Sequence, residues 1–205
     1  MAITNYATLQ TAVADFLNRD DLTAVIPTFI QLAEAQFSRE LRHWRQQRRV
    51  TTTVDEQFEN LPSDFIEAIH FYIDGQHGEK TIEFASMAEI SRRKQVLSGT
   101  GGEPVVYTLN SGQIEFVPVP DDNYPLTMVY YAKLPQLSAT DDENWVLSYY
   151  PDLYLYGALM HSAPYLQEDA RTQVWAQLYA AAVQNANEDS GNAMYSGSPL
   201  VMRNK

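Results

Sequence analysis

Residues 26–54 read IPTFIQLAEAQFSRELRHWRQQRRVTTTV, and the apolar pattern changes within this stretch. In the first part, apolar residues recur every three or four positions, which is the period of a helix. These residues are Ile30, Ala33, Phe37, Leu41 and Trp44. In the last part, Val50, Thr52 and Val54 alternate with Thr51 and Thr53, as the two faces of a strand do. The stretch therefore predicts a helix from about Pro27 to Arg45, followed directly by β structure.

Helical patterns lie on both sides of a β-rich middle. A first helix is predicted from about Asn5 to Asn18 with Thr4 as its cap. Helices return near Trp145, with one predicted from Pro151 to about Leu166 and a last long one that starts at Asp169. The predicted strands cover about 57–61, 68–73, 81–84, 105–109, 113–117 and 126–133. A Ser86–Glu89 capping box predicts one short helix among them.

The predicted fold class is α+β. The terminal helices, residues 1–46 and 135–186, form a helical bundle, and residues 47–134 form an inserted small antiparallel β-rich subdomain. The pattern is lost after about residue 186, so residues 187–205 are predicted to be a flexible, extended C-terminal arm.

Composition excludes several classes of protein. The net charge of −12 argues against a protein that wraps DNA, because phosphate contacts require a basic face. The chain has no cysteine, which excludes disulfides and thiolate metal sites. It lacks an apolar run long enough for a membrane span and a secretory signal pattern, so we expect synthesis in the cytoplasm and no membrane partner.

No motif predicts catalysis or a cofactor. The glycine-rich segment 99–102 lacks the lysine and hydroxyl residue of a phosphate loop, and the four histidines share no metal-ligand spacing. We therefore expect a protein that is not an enzyme and binds no metal or cofactor. A hydrolase with two carboxylates far apart in sequence stays open.

Arginines are concentrated in one short segment of this acidic chain. The cluster contains Arg39, Arg42, Arg45, Arg48 and Arg49. These charges could complement the end of the predicted second helix, bind nucleic acid, or form an interface with acidic subunits. We favour the interface.

Two further sets of residues are candidates for contacts with other subunits. Tyr149, Tyr150, Tyr154 and Tyr156 cannot all face one side of a helix, so either core packing or a subunit contact accounts for them. The predicted arm carries apolar residues that could anchor it to a partner, or it could be a frayed terminus. These residues are Met194, Tyr195, Leu200, Val201 and Met202.

Several phrases of the sequence resemble the head-to-tail adaptor (connector) proteins of tailed bacteriophages. They are residues 17–41 (LNRDDLTAVIPTFIQLAEAQFSREL), 61–68 (LPSDFIEA), 112–120 (GQIEFVPVP), 124–135 (YPLTMVYYAKLP) and 144–171 (NWVLSYYPDLYLYGALMHSAPYLQEDAR). The resemblance implies a structural virion protein at the head–tail junction. It also implies a dodecameric ring that binds the portal protein, extends the channel through which DNA passes, and carries the next tail or nozzle component.

Three other functions stay open at this point. They are a neck or tail-completion protein one ring further from the head, a cell-wall hydrolase of the tail complex, and a regulatory binding module with a two-helix head. A DNA-binding helical head would require the arginines to lie on a face without acidic residues.

Overall fold

The computed structural model describes residues 2–75, 78–97, 100–166 and 171–196. In these ranges the chain forms six α-helices, one 3-10 turn (Trp44–Gln46) and eight strands, which confirms the α+β class. The helices are α1 (Tyr6–Leu17), α2 (Ile26–Glu40), α3 (Met87–Val96), α4 (Trp145–Tyr149), α5 (Pro151–Leu166) and α6 (Thr172–Tyr195). The strands are β1 (Gln47–Val54), β2 (Phe58–Asn60), β3 (Phe65–Gly75), β4 (Gly78–Thr81), β5 (Glu83–Phe84), β6 (Val106–Asn110), β7 (Gln113–Val117) and β8 (Tyr124–Ala132).

The chain divides into two compact units, a helical unit (Met1–Gln46 with Leu134–Lys205) and a β unit (Gln47–Lys133). In the helical unit, α1, α2 and α6 all pack against α5 around one apolar core. Three of these helices meet at Gly157 of α5, where a Cβ would lie 2.9 Å from the Cβ of Ala33 and 3.4 Å from the ring of Tyr179. The absence of a side chain at this position allows α2 and α6 to approach α5.

The β unit contains two four-stranded sheets, with strand orders β1-β8-β3-β4 and β2-β7-β6-β5. The predicted antiparallel subdomain differs from these sheets in one pairing, because β5 pairs with β6 in parallel. Although β2 follows β1 directly in the sequence, it pairs with β7 of the other sheet and not with β1. Loop lengths alone could not reveal this exchange, because it depends on long-range pairing. Phe71, Leu126 and Met128 are among the residues of the shared core.

Two predicted boundaries are displaced. Asn5, not Thr4, caps α1, and its side chain accepts a hydrogen bond from the Thr8 N–H. The helix predicted to reach Arg45 ends at Glu40, and Leu41 is extended with φ −84° and ψ 129°. As a result, Trp44 is 39% exposed and not part of a buried helical stripe.

The predicted loss of helix at residue 187 is also wrong, because α6 continues to Tyr195. Ala186 and Ser190 are both buried, so this part of α6 packs against the helical unit. Leu200, Val201 and Met202 of the predicted arm lie outside the described residues.

Candidate interaction surface

Side chains of α6 determine where α2 ends. The Asn187 side chain accepts a hydrogen bond from the Arg42 N–H at 3.0 Å and donates one to the Glu40 carbonyl at 3.4 Å. The Ser190 hydroxyl accepts a hydrogen bond from the Trp44 N–H at 2.9 Å. These side chains satisfy main-chain groups that a continuing helix would pair internally, so the chain turns away after Glu40.

Pro151 produces a break between two helices, and this break positions two of the candidate tyrosines. The Asn144 side chain caps α4 by accepting the Leu147 N–H at 3.0 Å. Pro151 then begins α5, and a residue that precedes proline disfavours helical geometry. Tyr150 accordingly has φ −135° and ψ 58°. This break places Tyr149 and Tyr150 at a corner between two helices.

The guanidinium group of Arg45 lies between two exposed aromatic rings. Its central carbon is 4.5 Å from the ring centroid of Trp44 and 3.9 Å from that of Tyr149. Tyr149 is 57% exposed. Contacts of this kind hold an arginine by cation–π attraction while its N–H donors stay able to pair with a carboxylate. We call these three side chains the Arg45 patch.

A buried histidine supports the patch from below. His43 is 1% exposed and stacks on Trp145 with 4.8 Å between the ring centroids. Its Nδ1 accepts the Arg45 N–H at 3.2 Å, so the proton of the neutral ring is on Nε2, which faces the Tyr150 hydroxyl at 3.2 Å. That hydroxyl donates to Asp189 of α6 at 3.3 Å.

Burial and charge keep this histidine neutral. Burial, together with the nearby positive charge of Arg45, lowers the pKa of His43, although Asp189 acts in the opposite direction. Burial and the neighbouring Asp189 raise the pKa of Tyr150. His43 is enclosed by aromatic rings, and Tyr150 is paired with Asp189. These two side chains therefore fix the position of Arg45, and they are not arranged around an open cleft.

The other predicted arginines have different surroundings. Arg39 is exposed on α2, and the guanidinium of Arg42 donates to the Leu41 and Arg39 carbonyls at 2.8 and 3.3 Å. Arg48 and Arg49 belong to β1 of the β unit. Arg48 forms an ion pair with Asp64 at 2.6 Å, and the Arg49 guanidinium lies 6.0 Å from the Tyr72 ring centroid. Of the five arginines, Arg39 therefore lies on α2, Arg42 and Arg45 follow its end, and Arg48 and Arg49 lie on β1.

The predicted tyrosines also separate. Tyr149 belongs to the Arg45 patch and Tyr150 supports it, while Tyr156 is half-buried against the helical core. Tyr154 is fully buried, so of the two explanations left open for the tyrosines, core packing accounts for it and a subunit contact does not. It packs against Phe37 and donates a hydrogen bond to Glu34, and both contacts lie inside the helical unit.

Met194 and Tyr195 end α6, and Met194 is 46% exposed. Sequence reasoning missed the supporting residues His43, Trp145 and Asp189, because each comes from a different segment. One signal was available in the sequence. Aromatic rings lie beside an arginine at residues 43–45, and aromatic residues are concentrated again at residues 145–150.

Buried carboxylates in the described part of the chain are already engaged in structural contacts. Glu34 accepts hydrogen bonds from the Leu137 N–H at 2.8 Å and from the Tyr154 hydroxyl at 3.0 Å. Glu115 pairs with Lys94 and accepts a hydrogen bond from Gln57. The same residue ranges contain no group of three His, Cys, Asp or Glu that could hold a metal ion.

A protein-family comparison decides the class of this protein. The family model described as SU10 adaptor protein matches residues 4–203. The chain belongs to the SU10 adaptor protein family. This is a family of phage head-to-tail adaptors, which confirms the resemblance found in the sequence.

Membership in the adaptor family makes the protein a virion component that associates with other head and tail proteins. No curated protein matches the chain. Across the described residues, no helix is both long and apolar enough to span a membrane.

Proposed function

We propose that this adaptor forms a dodecameric ring that binds the portal, extends the DNA channel and provides the platform for the next tail or nozzle component. The helices at the two ends of the sequence act as one bundle that carries the β unit. DNA passes through the lumen without specific binding, because a net charge of −12 per subunit repels phosphate. The role is structural and involves no catalysis.

The Arg45 patch is the observation that carries the portal-binding proposal. Arginine and tryptophan are enriched among the residues that dominate binding energy at protein interfaces, and an arginine held between rings loses little freedom on binding. Arg45 brings an oriented positive charge to an acidic chain. Its partner on the portal would be a carboxylate-bearing surface. Arg48 and Arg49 of β1 provide a second basic contact in this proposal, through the β unit.

The end of the chain supplies a second contact in this proposal. Met194 and Tyr195, with Leu200, Val201 and Met202 beyond the described residues, would anchor the C-terminal segment on the portal. Because Asn187 and Ser190 stabilise the end of α2, a deletion that tests Leu200, Val201 and Met202 begins after Ser196 and leaves Met194 and Tyr195 in place.

The test measures the mass of the adaptor by light scattering, alone and after mixing with portal rings from the same virus. Arg45→Lys keeps the charge but loses the planar stacking, and Arg45→Glu reverses the charge. We expect about tenfold weaker portal binding for Arg45→Lys and none for Arg45→Glu. The matched control Arg19→Glu removes an exposed ion pair with Asp21 at 2.7 Å and should bind normally.

Two results would overturn the proposal. A wild-type chain that ignores the portal but binds an assembled portal–adaptor complex would be a neck or tail-completion protein one ring further from the head. Peptidoglycan hydrolysis by the purified chain would instead support an enzyme of the tail complex.

A further inference from the structure

Helices α2 and α6 each expose a face that lacks charge over most of its length. In α2, Thr28, Leu32, Ala35 and Arg39 lie on one exposed side, and Leu32 is 46% exposed. In α6, Val174, Leu178, Ala181, Asn185 and Glu188 form a similar row, with Val174 53% and Leu178 40% exposed. We call these rows the α2 stripe and the α6 stripe.

Both stripes follow the spacing of a coiled-coil seam. Their members are separated alternately by four and three residues, which keeps them in line along one side of a helix. The buried sides of these helices point elsewhere: Phe29, Ala33 and Phe37 of α2, and Trp175, Tyr179 and Ala182 of α6, lie in the helical core. The stripes are therefore additional to the packing that holds the subunit together.

The lack of charge on these stripes contrasts with the rest of the chain. Charged residues make up 20% of the sequence, yet none occurs from Thr172 to Asn187. Between Ile26 and Ser38 the one charged residue, Glu34, is buried. Two copies with a net charge of −12 repel each other wherever acidic surfaces meet. The stripes are places where a second copy can approach without this cost, and charge depletion is typical of interface cores.

A closed ring requires two different surfaces on each subunit, because each copy uses one surface toward one neighbour and another toward the next. The helical unit offers such a pair on two separate helices. We infer that the α2 stripe of one copy packs against the α6 stripe of the next copy. This inference rests on the proposed ring and assigns its subunit contact.

Charge at the ends of the stripes gives the orientation. The α2 stripe ends in Arg39 and the α6 stripe reaches Glu188, each toward the C-terminal end of its helix. When the two helices run parallel and Leu32 packs near Leu178 and Ala181, Arg39 of one copy comes within reach of Glu188 of the next. An antiparallel arrangement would instead place Arg39 beside another arginine, Arg171, which precedes the first residue of α6.

Because the chain has no cysteine, engineered pairs give an unambiguous test. Portal-bound assemblies of the double variant Leu32→Cys with Leu178→Cys are oxidised and separated without reductant. We expect a ladder of covalent multimers, because each copy links to two neighbours. Each single variant should give no ladder. The control pair Thr11→Cys with Leu178→Cys, which uses an exposed position on α1, should give none either.

The outcomes separate this inference from the proposed function. An assembly of normal mass without a ladder overturns the stripe contact and leaves the adaptor role standing. A ladder that appears equally with the Thr11 pair also overturns it, since the contact would then not be specific to these faces. If the wild-type chain forms no assembly on the portal, the proposed ring fails and the inference fails with it.

A charge exchange tests the orientation independently. Arg39→Glu and Glu188→Arg should each weaken assembly about tenfold, because each places like charges together. The double variant should restore it to within about threefold of wild type. Because Arg39 and Glu188 adjoin Glu40 and Asn187, which are hydrogen-bonded within one subunit, the urea unfolding midpoint of each unassembled variant is measured as well and should stay unchanged. Failure of the double variant to recover would overturn the parallel pairing.

Discussion

Glu34 is a carboxyl group inside the helical core, and its partners show how a few polar atoms position a loop. It accepts hydrogen bonds from Leu137 of the segment before α4 and from Tyr154 of α5. The Tyr154 hydroxyl in turn accepts a 2.6 Å hydrogen bond from Asn144, the cap of α4. This chain of contacts links α2, α5 and the residues that lead into α4. Burial raises the pKa of Glu34, and the two hydrogen bonds only partly offset that effect.

The raised pKa predicts how stability depends on pH. Because the folded chain holds the Glu34 proton more tightly than the unfolded chain, the contribution of this group is greatest below its ordinary value of 4.5 and is lost as pH rises through its folded pKa. The variant Glu34→Gln keeps an acceptor oxygen and does not titrate. We expect its stability relative to wild type to improve steadily between about pH 4 and pH 7 in urea unfolding.

Tyr154→Phe provides the matched comparison. It removes a donor that favours the charged carboxylate, so the pKa of Glu34 should rise further and stability at neutral pH should fall by about 1–2 kcal/mol. If the stability of wild type and that of Glu34→Gln changed with pH in the same way, burial of Glu34 would not control the pH dependence of stability.

The packing of α5 against α2 and α6 depends on the absence of a methyl group at Gly157. A Cβ on Gly157 would lie 2.9 Å from the Cβ of Ala33, which is too close for a normal contact. Gly157→Ala should therefore destabilise the protein by about 1–3 kcal/mol despite the better helix propensity of alanine. Gly191→Ala in α6 has nothing within 4 Å of the new Cβ and should stabilise by up to about 1 kcal/mol. Thermal unfolding of both variants measures the contrast, which equal effects at the two sites would contradict.

The junction between the end of α2 and α6 makes a second prediction about helix packing. Asn187→Ala removes the acceptor for Arg42 and the donor for Glu40, so we expect a loss of about 1–2 kcal/mol. The exposed residue Asn192 on the same helix is the control, and Asn192→Ala should change stability by less than about 0.5 kcal/mol. Urea unfolding at neutral pH compares the two. Similar losses would mean that the contacts of Asn187 do not hold the turn after Glu40.

The sequence predicted the helices and strands that are determined by residues close to them in the chain. The periodic α1 and α5, the Ser86 cap of α3 and the β6–β7 hairpin all appear near their expected positions. It did not predict elements that depend on distant partners: the end of α2 depends on Asn187 and Ser190, and β2 pairs with β7. The candidate surface divides in the same way. Arg45 and Tyr149 were recognisable from residue type, whereas their contact requires the fold.

In this proposal, the charge of each part of the molecular surface suits the neighbour that this part contacts. Acidic residues outnumber basic ones by 26 to 14, which keeps copies apart in solution and repels DNA. Against that background, the Arg45 patch and the two uncharged stripes are exceptions, and each exception suits a different neighbour. A cationic patch fits an acidic partner, while uncharged stripes fit a second acidic copy.

These two kinds of contact should respond to salt in opposite directions. Between about 0.01 and 0.15 M salt, the distance over which exposed charges interact falls from about 30 to about 8 Å. Repulsion between copies that each carry a net charge of −12 then weakens more than the single Arg39–Glu188 attraction does, so association of adaptor subunits with one another should strengthen. Binding that depends on Arg45 and a carboxylate should weaken over the same range. Sedimentation of the adaptor alone and with portal rings measures both trends.

Neutralising an acidic turn provides the control for the salt effect. Asp141→Asn with Asp142→Asn removes two exposed charges, so it should strengthen association between copies at low salt and flatten the salt dependence. The portal contact through Arg45 should keep its normal salt dependence in this variant. If association between wild-type copies weakened as salt increased, attraction between charges such as Arg39 and Glu188 would dominate the contact, and the uncharged part of the stripes would not be its main source of binding.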